Sequence, residues 1–143
     1  MSFIKPLGEE NEHPGYASEP NGSDHLVSLL KAIRRGPDGK NTLVVVTYDE
    51  FGGQWDHMSP PGKGRAGAHD QFGPGTRIPA LIVSPGLKVS SVDHSVYDTT
   101  SIMATIEARW GLEPVDHPAG VVPRDSRVAP LTNAIRLGLG KKT

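Results

Sequence analysis

The amino-acid sequence predicts an α/β domain, and three observations carry that prediction. Two uninterrupted aliphatic runs, Leu43 to Val46 and Ala80 to Val83, are too short for helices and read as strands. An amphipathic helical pattern precedes the first run, and another follows the second. Seventeen glycines and thirteen prolines among 143 residues require long loops around these elements. The order helix, strand, long loop, strand, helix reads as part of an open, mostly parallel sheet with helices on its faces. The length suits a single domain over 1–143, with a loop-rich tail over 113–143.

Residues 5 to 22 carry Pro6, Gly8, Pro14, Gly15, Pro20 and Gly22, a spacing that suits a loop. Leu26, Leu29, Leu30 and Ile33 then recur at i, i+3, i+4 and i+7, which predicts a helix over about 24–35. Ser23 or Asp24 can cap its start, Lys31, Arg34 and Arg35 suit its C-terminal dipole, and Gly36-Pro37 stops it. Thr42 to Tyr48 is continuously apolar and β-branched, so a strand buried on both faces is expected. Residues 49 to 77 show no period and are punctuated by Gly52-Gly53, Pro60-Pro61-Gly62 and Gly73-Pro74-Gly75; a stretch of that kind is usually functional or disordered. A second buried strand is expected over Ala80–Ser84, ended by Pro85-Gly86. Asp98 or Thr99 then caps a helix over about 99–110 whose Ile102, Met103, Ile106 and Trp110 share a face, with Gly111 at its C′ position. One short turn is expected near Leu131–Leu137.

Composition excludes several classes of function. Fifteen Lys and Arg against sixteen Asp and Glu leave a formal charge of −1, which rules out a generally basic nucleic-acid binder. With no cysteine there is no disulfide framework, thiolate metal site or thiol nucleophile. The first residues, Met1 to Pro6, lack the apolar core of a signal peptide, and the aliphatic runs are far short of the roughly 20 residues of a transmembrane helix.

The chemistry concentrates in Thr47-Tyr48-Asp49-Glu50-Phe51-Gly52-Gly53-Gln54-Trp55-Asp56-His57. In open α/β sheets ligands bind beyond the carboxyl ends of strands. Two adjacent carboxylates emerge there, followed by a glycine pair that lets backbone approach a ligand closely. Oxygen and imidazole ligands without thiolates suit Mg, Ca, Mn or Zn; acidic residues at such exits also serve simply to solvate a turn. Of six histidines, His25 and His117 read as structural or peripheral, while His13 and His57 are placed to present an imidazole near neutral pH. His69 and His94 carry no assigned role. No Walker-type phosphate loop and no Gly-x-Ser-x-Gly elbow occurs.

Several strings together resemble a known family. They include Phe3-Ile4-Lys5-Pro6-Leu7-Gly8, Asn11-Glu12-His13-Pro14-Gly15-Tyr16-Ala17, the Tyr48 to His57 string with Pro60-Pro61, and Gly73-Pro74-Gly75-Thr76-Arg77-Ile78-Pro79 leading into Leu81 to Gly86. Asp93-His94, Thr100-Ser101-Ile102, Ile106-Glu107, Arg109-Trp110, Arg124-Asp125 and Ala129-Pro130-Leu131 extend the match. They resemble the phosphoesterase family of non-specific phospholipases C and certain acid phosphatases. The resemblance implies an alkaline-phosphatase-like α/β/α sandwich that cleaves phosphate esters or phospholipids with a Ser or Thr nucleophile beside a divalent metal cation. It further implies Asp49 and Glu50 as metal ligands, and His13 and His57 as phosphate-contacting or proton-donating residues, with Asp56 orienting His57.

The departures from the family pattern shape the expectation. A Glu-Asn pair that supplies the other metal ligands, and the nucleophile that follows it, have no counterpart among these residues. The chain therefore reads as the C-terminal portion of a phosphoesterase, inactive alone and with a separate N-terminal portion as an implied partner. The alternative is a non-catalytic α/β remnant that acts as a binding module. Members of the family are often secreted or periplasmic, which bears on the parent enzyme rather than on this chain.

Overall fold

The structure, a computed structural model, describes residues 1–61, 73–115 and 118–141. The chain divides into two compact units, Met1–Val44 with Ser84–Gly86, and Val45–Val83 with Leu87–Thr143.

The first unit is built on one helix, α1, Glu19–Arg35. It starts well before the expected position near residue 24. Ser18, in extended conformation, is its N-cap and accepts the Asn21 N–H at 3.4 Å. Pro20 falls in the first turn, where its missing N–H leaves nothing unsatisfied. The proline that looked like a loop signal thus belongs to a helix start. Leu26, Leu29, Leu30 and Ile33 form a half-buried stripe, as the periodicity predicted. At the far end the Gly36 N–H donates to Ala32 O at 3.0 Å and to Ile33 O at 3.1 Å, closing the last turn. Single 3₁₀ turns at Gly8–Glu10 and Gly39–Asn41 flank the helix in sequence.

The strand β1 (Val44–Thr47), all but its first residue in the second unit, pairs with β2 (Ala80–Val83) as a two-stranded sheet, at the positions the aliphatic runs predicted. The pair is antiparallel rather than parallel. Thr47 Oγ1, at the end of β1, donates to Pro79 O, just before β2, at 2.9 Å. The expectation of strands buried on both faces is also corrected: β1 is half-buried through Val46, and Leu81 in β2 is 59% exposed. An apolar run states that a strand needs cover; among the described residues this sheet has two strands and limited cover.

Two further helices complete the second unit, α2 (Ser101–Trp110) and α3 (Thr132–Gly138). Thr100 occupies the N-cap of α2 without a side-chain cap bond. Asp98 serves the helix start instead, accepting the Thr100 N–H at 2.7 Å and the Thr100 hydroxyl at 2.6 Å. The buried face of α2 is not the expected Ile102/Met103/Ile106/Trp110 stripe, because Trp110 is 61% exposed beside the Arg109 guanidinium, 5.5 Å from its ring centroid. Small residues form that face. Ser101 and Ala104 are buried, and Thr105 Oγ1 donates to Ser101 O at 2.6 Å and accepts the Leu131 N–H at 2.8 Å. Leu131 is buried there, so side chains that occupy little space bring the tail against the helix. Gly111 holds the left-handed conformation (φ 64°) expected at C′, and Leu112 N donates to Glu107 O at 3.0 Å.

The turn expected near Leu131–Leu137 is the helix α3. Its terminal Gly138 carbonyl accepts Lys88 N at 2.7 Å and Val89 N at 3.0 Å. A Cβ on Gly138 would stand 2.9 Å from Leu87 Cδ2, so glycine permits this approach. Asp93 ties the same region together. It accepts from Ser95 N (3.0 Å), Ser95 Oγ (2.8 Å), Tyr97 Oη (2.6 Å) and Asn133 Nδ2 (2.8 Å).

Candidate phosphoesterase site

Asp49 and Glu50 lie just beyond the carboxyl end of β1, where the sequence placed them. Both are exposed. Asp49 Oδ1 accepts the Glu50 N–H at 3.1 Å, and Glu50 Oε2 accepts the Gly52 N–H at 2.8 Å. Gly52 (φ 60°) and Gly53 (φ 72°) both adopt left-handed backbone, and Gln54 N donates to Phe51 O at 2.9 Å to close the turn. The glycine pair is therefore a conformational requirement, since side chains rarely tolerate such torsions in succession.

After this turn the chain reaches Asp56, whose carboxylate is well occupied. Oδ1 accepts the Met58 N–H at 2.6 Å, and Oδ2 receives the Arg77 guanidinium Nε–H at 3.1 Å. The Met58 amide bond is the largest influence on this carboxyl; against a smaller desolvation effect it and Arg77 hold the pKa below the ordinary 3.8. Asp56 is thus a carboxylate at neutral pH. Its nearest approach to His57 is 3.9 Å, from Oδ1 to Nδ1, wider than a hydrogen bond. His57 is 72% exposed, with its ring centroid 6.4 Å from that of Trp55. Arg77 is the residue that sequence reasoning left without a role, because its tie to Asp56 joins segments far apart in sequence.

His13 belongs to the first unit, so Asp49, Glu50, Asp56 and His57 share a unit that His13 does not. Its imidazole is locally well held. Nδ1 lies 2.8 Å from Pro14 O, and the ring stacks on Tyr16 with centroids 4.5 Å apart and an interplanar angle of 19°. A carbonyl only accepts, so Nδ1 carries the hydrogen and Nε2 is left to accept or, when protonated, to donate. His25 pairs with Glu10, Nδ1 to Oε2, at 3.0 Å, and His94 is exposed. His69 and His117 lie outside the described residues. A cavity of about 420 Å³ is lined by Glu9, Glu10, Asn21, Asp24, His25 and Ser28, none of them an expected site residue.

Asp49 and Glu50 offer hard oxygen donors of the kind that Mg, Ca or Mn prefers. Among the described residues no group of three or more His, Asp or Glu side chains is gathered to hold a metal ion. Two carboxylates fit as part of a ligand set, not as a whole one.

A profile of the phosphoesterase family matches residues 1–113, a span that includes His13, Asp49, Glu50, Asp56, His57 and Arg77. The chain belongs to the phosphoesterase family. Among curated proteins it is 31% identical over 127 residues to non-specific phospholipase C6 of Arabidopsis thaliana, covering 76% of this chain and 24% of that protein. It is 29% identical over 138 residues to the non-hemolytic phospholipase C of Pseudomonas aeruginosa, covering 78% and 20% respectively. Phospholipase C B of Mycobacterium tuberculosis is 29% identical over 152 residues, covering 93% of this chain and 28% of its own length. This phosphoesterase chain thus spans between a fifth and about three tenths of the length of these relatives.

Proposed function

We propose that the chain contributes one side of the active site of a phosphoric ester hydrolase of phospholipase C type. The observation that carries this reading is the family match across residues 1–113, with the paired carboxylates at a strand exit on a double-glycine turn. In this reading Asp49 and Glu50 give two oxygen ligands to a divalent cation. When bound, such a cation neutralises phosphate oxygens and activates a hydroxyl nucleophile. The other ligands and the nucleophile come from a further polypeptide portion, and the whole site belongs to an alkaline-phosphatase-like α/β/α sandwich. A wider, mostly parallel sheet in that sandwich accommodates an antiparallel pair such as β1–β2.

The chain's own residues have separable tasks. His13, with Nδ1–H committed to Pro14 O, presents Nε2 to a phosphate oxygen or leaving group. His57, exposed beyond the glycine turn, is a second imidazole for the same purpose, and Asp56 holds its loop through Met58 and Arg77. A phospholipid or another phosphate ester is the substrate. The test is hydrolysis of phosphatidylcholine and of an aryl phosphate, with Mg, Ca, Mn or Zn, by this chain with and without a supplied N-terminal portion. Negligible turnover alone and metal-dependent turnover on complementation, lost in Asp49→Asn, is the expected result. Turnover insensitive to Asp49→Asn and Glu50→Gln would overturn the site assignment, and failure of complementation would favour the binding-module alternative.

A further inference from the structure

We propose that Gly22 and Glu12 form a seat that positions the His13 imidazole; the inference rests on His13 being the proton-handling residue of the reading above. Gly22 is buried within α1, in a helix where glycine is disfavoured relative to alanine. The reason lies in what covers it. A Cβ at Gly22 would overlap Glu12 Cγ and stand 2.7 Å from Glu12 Oε1 and 2.9 Å from Glu12 Cδ. The Glu12 side chain therefore lies flat on the bare helix backbone, and Ser23 Oγ, on the same turn, donates to its Oε1 at 3.4 Å.

Glu12 reaches this position with φ 59°, the only non-glycine residue with positive φ among the described residues. Left-handed backbone at such a residue persists only where its surroundings hold it. Its immediate successor is His13, whose N–H donates to Asn11 Oδ1 at 2.9 Å. The Asn11 amide donates to Tyr16 Oη at 3.1 Å, and the Tyr16 ring carries the stacked imidazole. Ala17 N closes the loop on His13 O at 3.1 Å. Glu12 is thus the point at which the His13 loop is fastened to α1, and the missing side chain of Gly22 makes room for the fastening. Both are positioning residues.

The experiment is long-range ¹H–¹⁵N spectroscopy of the imidazoles in the full 143-residue chain. Signals are assigned with His13→Gln and recorded for wild type, Gly22→Ala, Glu12→Ala and the double variant. In wild type His13 shows the Nδ1–H tautomer. Gly22→Ala is expected to shift the His13 nitrogens toward the averaged values of a loosely held imidazole while α1 helicity, read by circular dichroism, is kept. In the Glu12→Ala background, where no Cγ exists to collide, adding Gly22→Ala is expected to shift them no further. Glu12→Gln, which keeps the length of the side chain, is expected to retain the wild-type signature. Unfolding by Gly22→Ala that Glu12→Ala reverses supports the seat equally. His13 signals unmoved by Gly22→Ala, or moved equally in both backgrounds, would overturn it, as would unfolding that the double variant shares. Loss of the functional reading is seen separately: turnover of the complemented enzyme unaffected by His13→Ala removes the catalytic role and leaves the tautomer result standing.

Discussion

Replacing Asp93 by alanine removes the acceptor that four donors share, and its cost can be worked from the geometry. Ser95 N–H and Oγ are exposed and can turn to water, so their loss costs little. Tyr97 Oη at 2.6 Å and Asn133 Nδ2 at 2.8 Å are half-buried partners, and Asn133 joins α3 to the segment at 93–97. Hydrogen bonds to a charged group contribute about 1.5–3 kcal/mol each, and partial exposure argues for the low end, so two such bonds lost predict about 3 kcal/mol. That is a large share of the usual stability of a domain, about 5–15 kcal/mol. The pH dependence has a definite sign. Desolvation pushes the Asp93 carboxyl up, but donation from Tyr97, Ser95 and Asn133 outweighs it, and the pKa falls below 3.8. A carboxyl lowered by folding stabilises above its unfolded value, and that stability is lost as pH falls through the lowered value. Urea denaturation at pH 7 and at pH 3 is the assay, with amide exchange read in α3. The difference between wild type and Asp93→Ala should be large at pH 7 and smaller at pH 3. A difference below about 0.5 kcal/mol at pH 7, within the range of ordinary surface substitutions, would refute the reasoning.

Burial, then the hydrogen bond and charge of Asp125, which is only 5% exposed, raise the Glu107 pKa above 4.5. A carboxyl raised by folding stabilises fully below its unfolded value and loses this as pH rises through the folded one, so Glu107→Gln should flatten the fall in denaturation midpoint above pH 4.5. An unchanged slope would contradict the pairing. Leu81 and Val83 expose apolar surface on a sheet that has two strands among the described residues. Sedimentation velocity should therefore show concentration-dependent association that Leu81→Lys reduces; equal association in that variant would place the contact elsewhere.

Much of the framework was legible because it is local. The aliphatic runs marked β1 and β2, the Leu26 to Ile33 spacing marked the covered side of α1, and Gly111 marked the end of α2. The start of α1 was hidden because Pro20 and Gly22 punctuate loops as readily as they occupy a first turn, and only the Ser18 cap distinguishes the cases. Strand direction and cover were not legible, since apolar composition records neither a partner's orientation nor what lies over a face. The buried side of α2 was missed for a related reason: Ser101, Ala104 and Thr105 are too small to register in a hydrophobic pattern that favours Trp110. In the site, the carboxylates and glycine pair were visible as a contiguous string. The Asp56–Arg77 ion pair and the Glu12–Gly22 contact join residues distant in sequence and emerged only in three dimensions.

The proposed role of Asp49 and Glu50 as partial ligands of a divalent cation is tested most directly by Mn²⁺ titration of the ¹⁵N-labelled chain. Paramagnetic broadening should be confined to amides around 49–53, saturate only weakly because two carboxylates leave most of a roughly six-oxygen shell to water, and vanish in the Asp49→Asn, Glu50→Gln double variant. Broadening centred on other residues, or unchanged in that variant, would contradict the assignment.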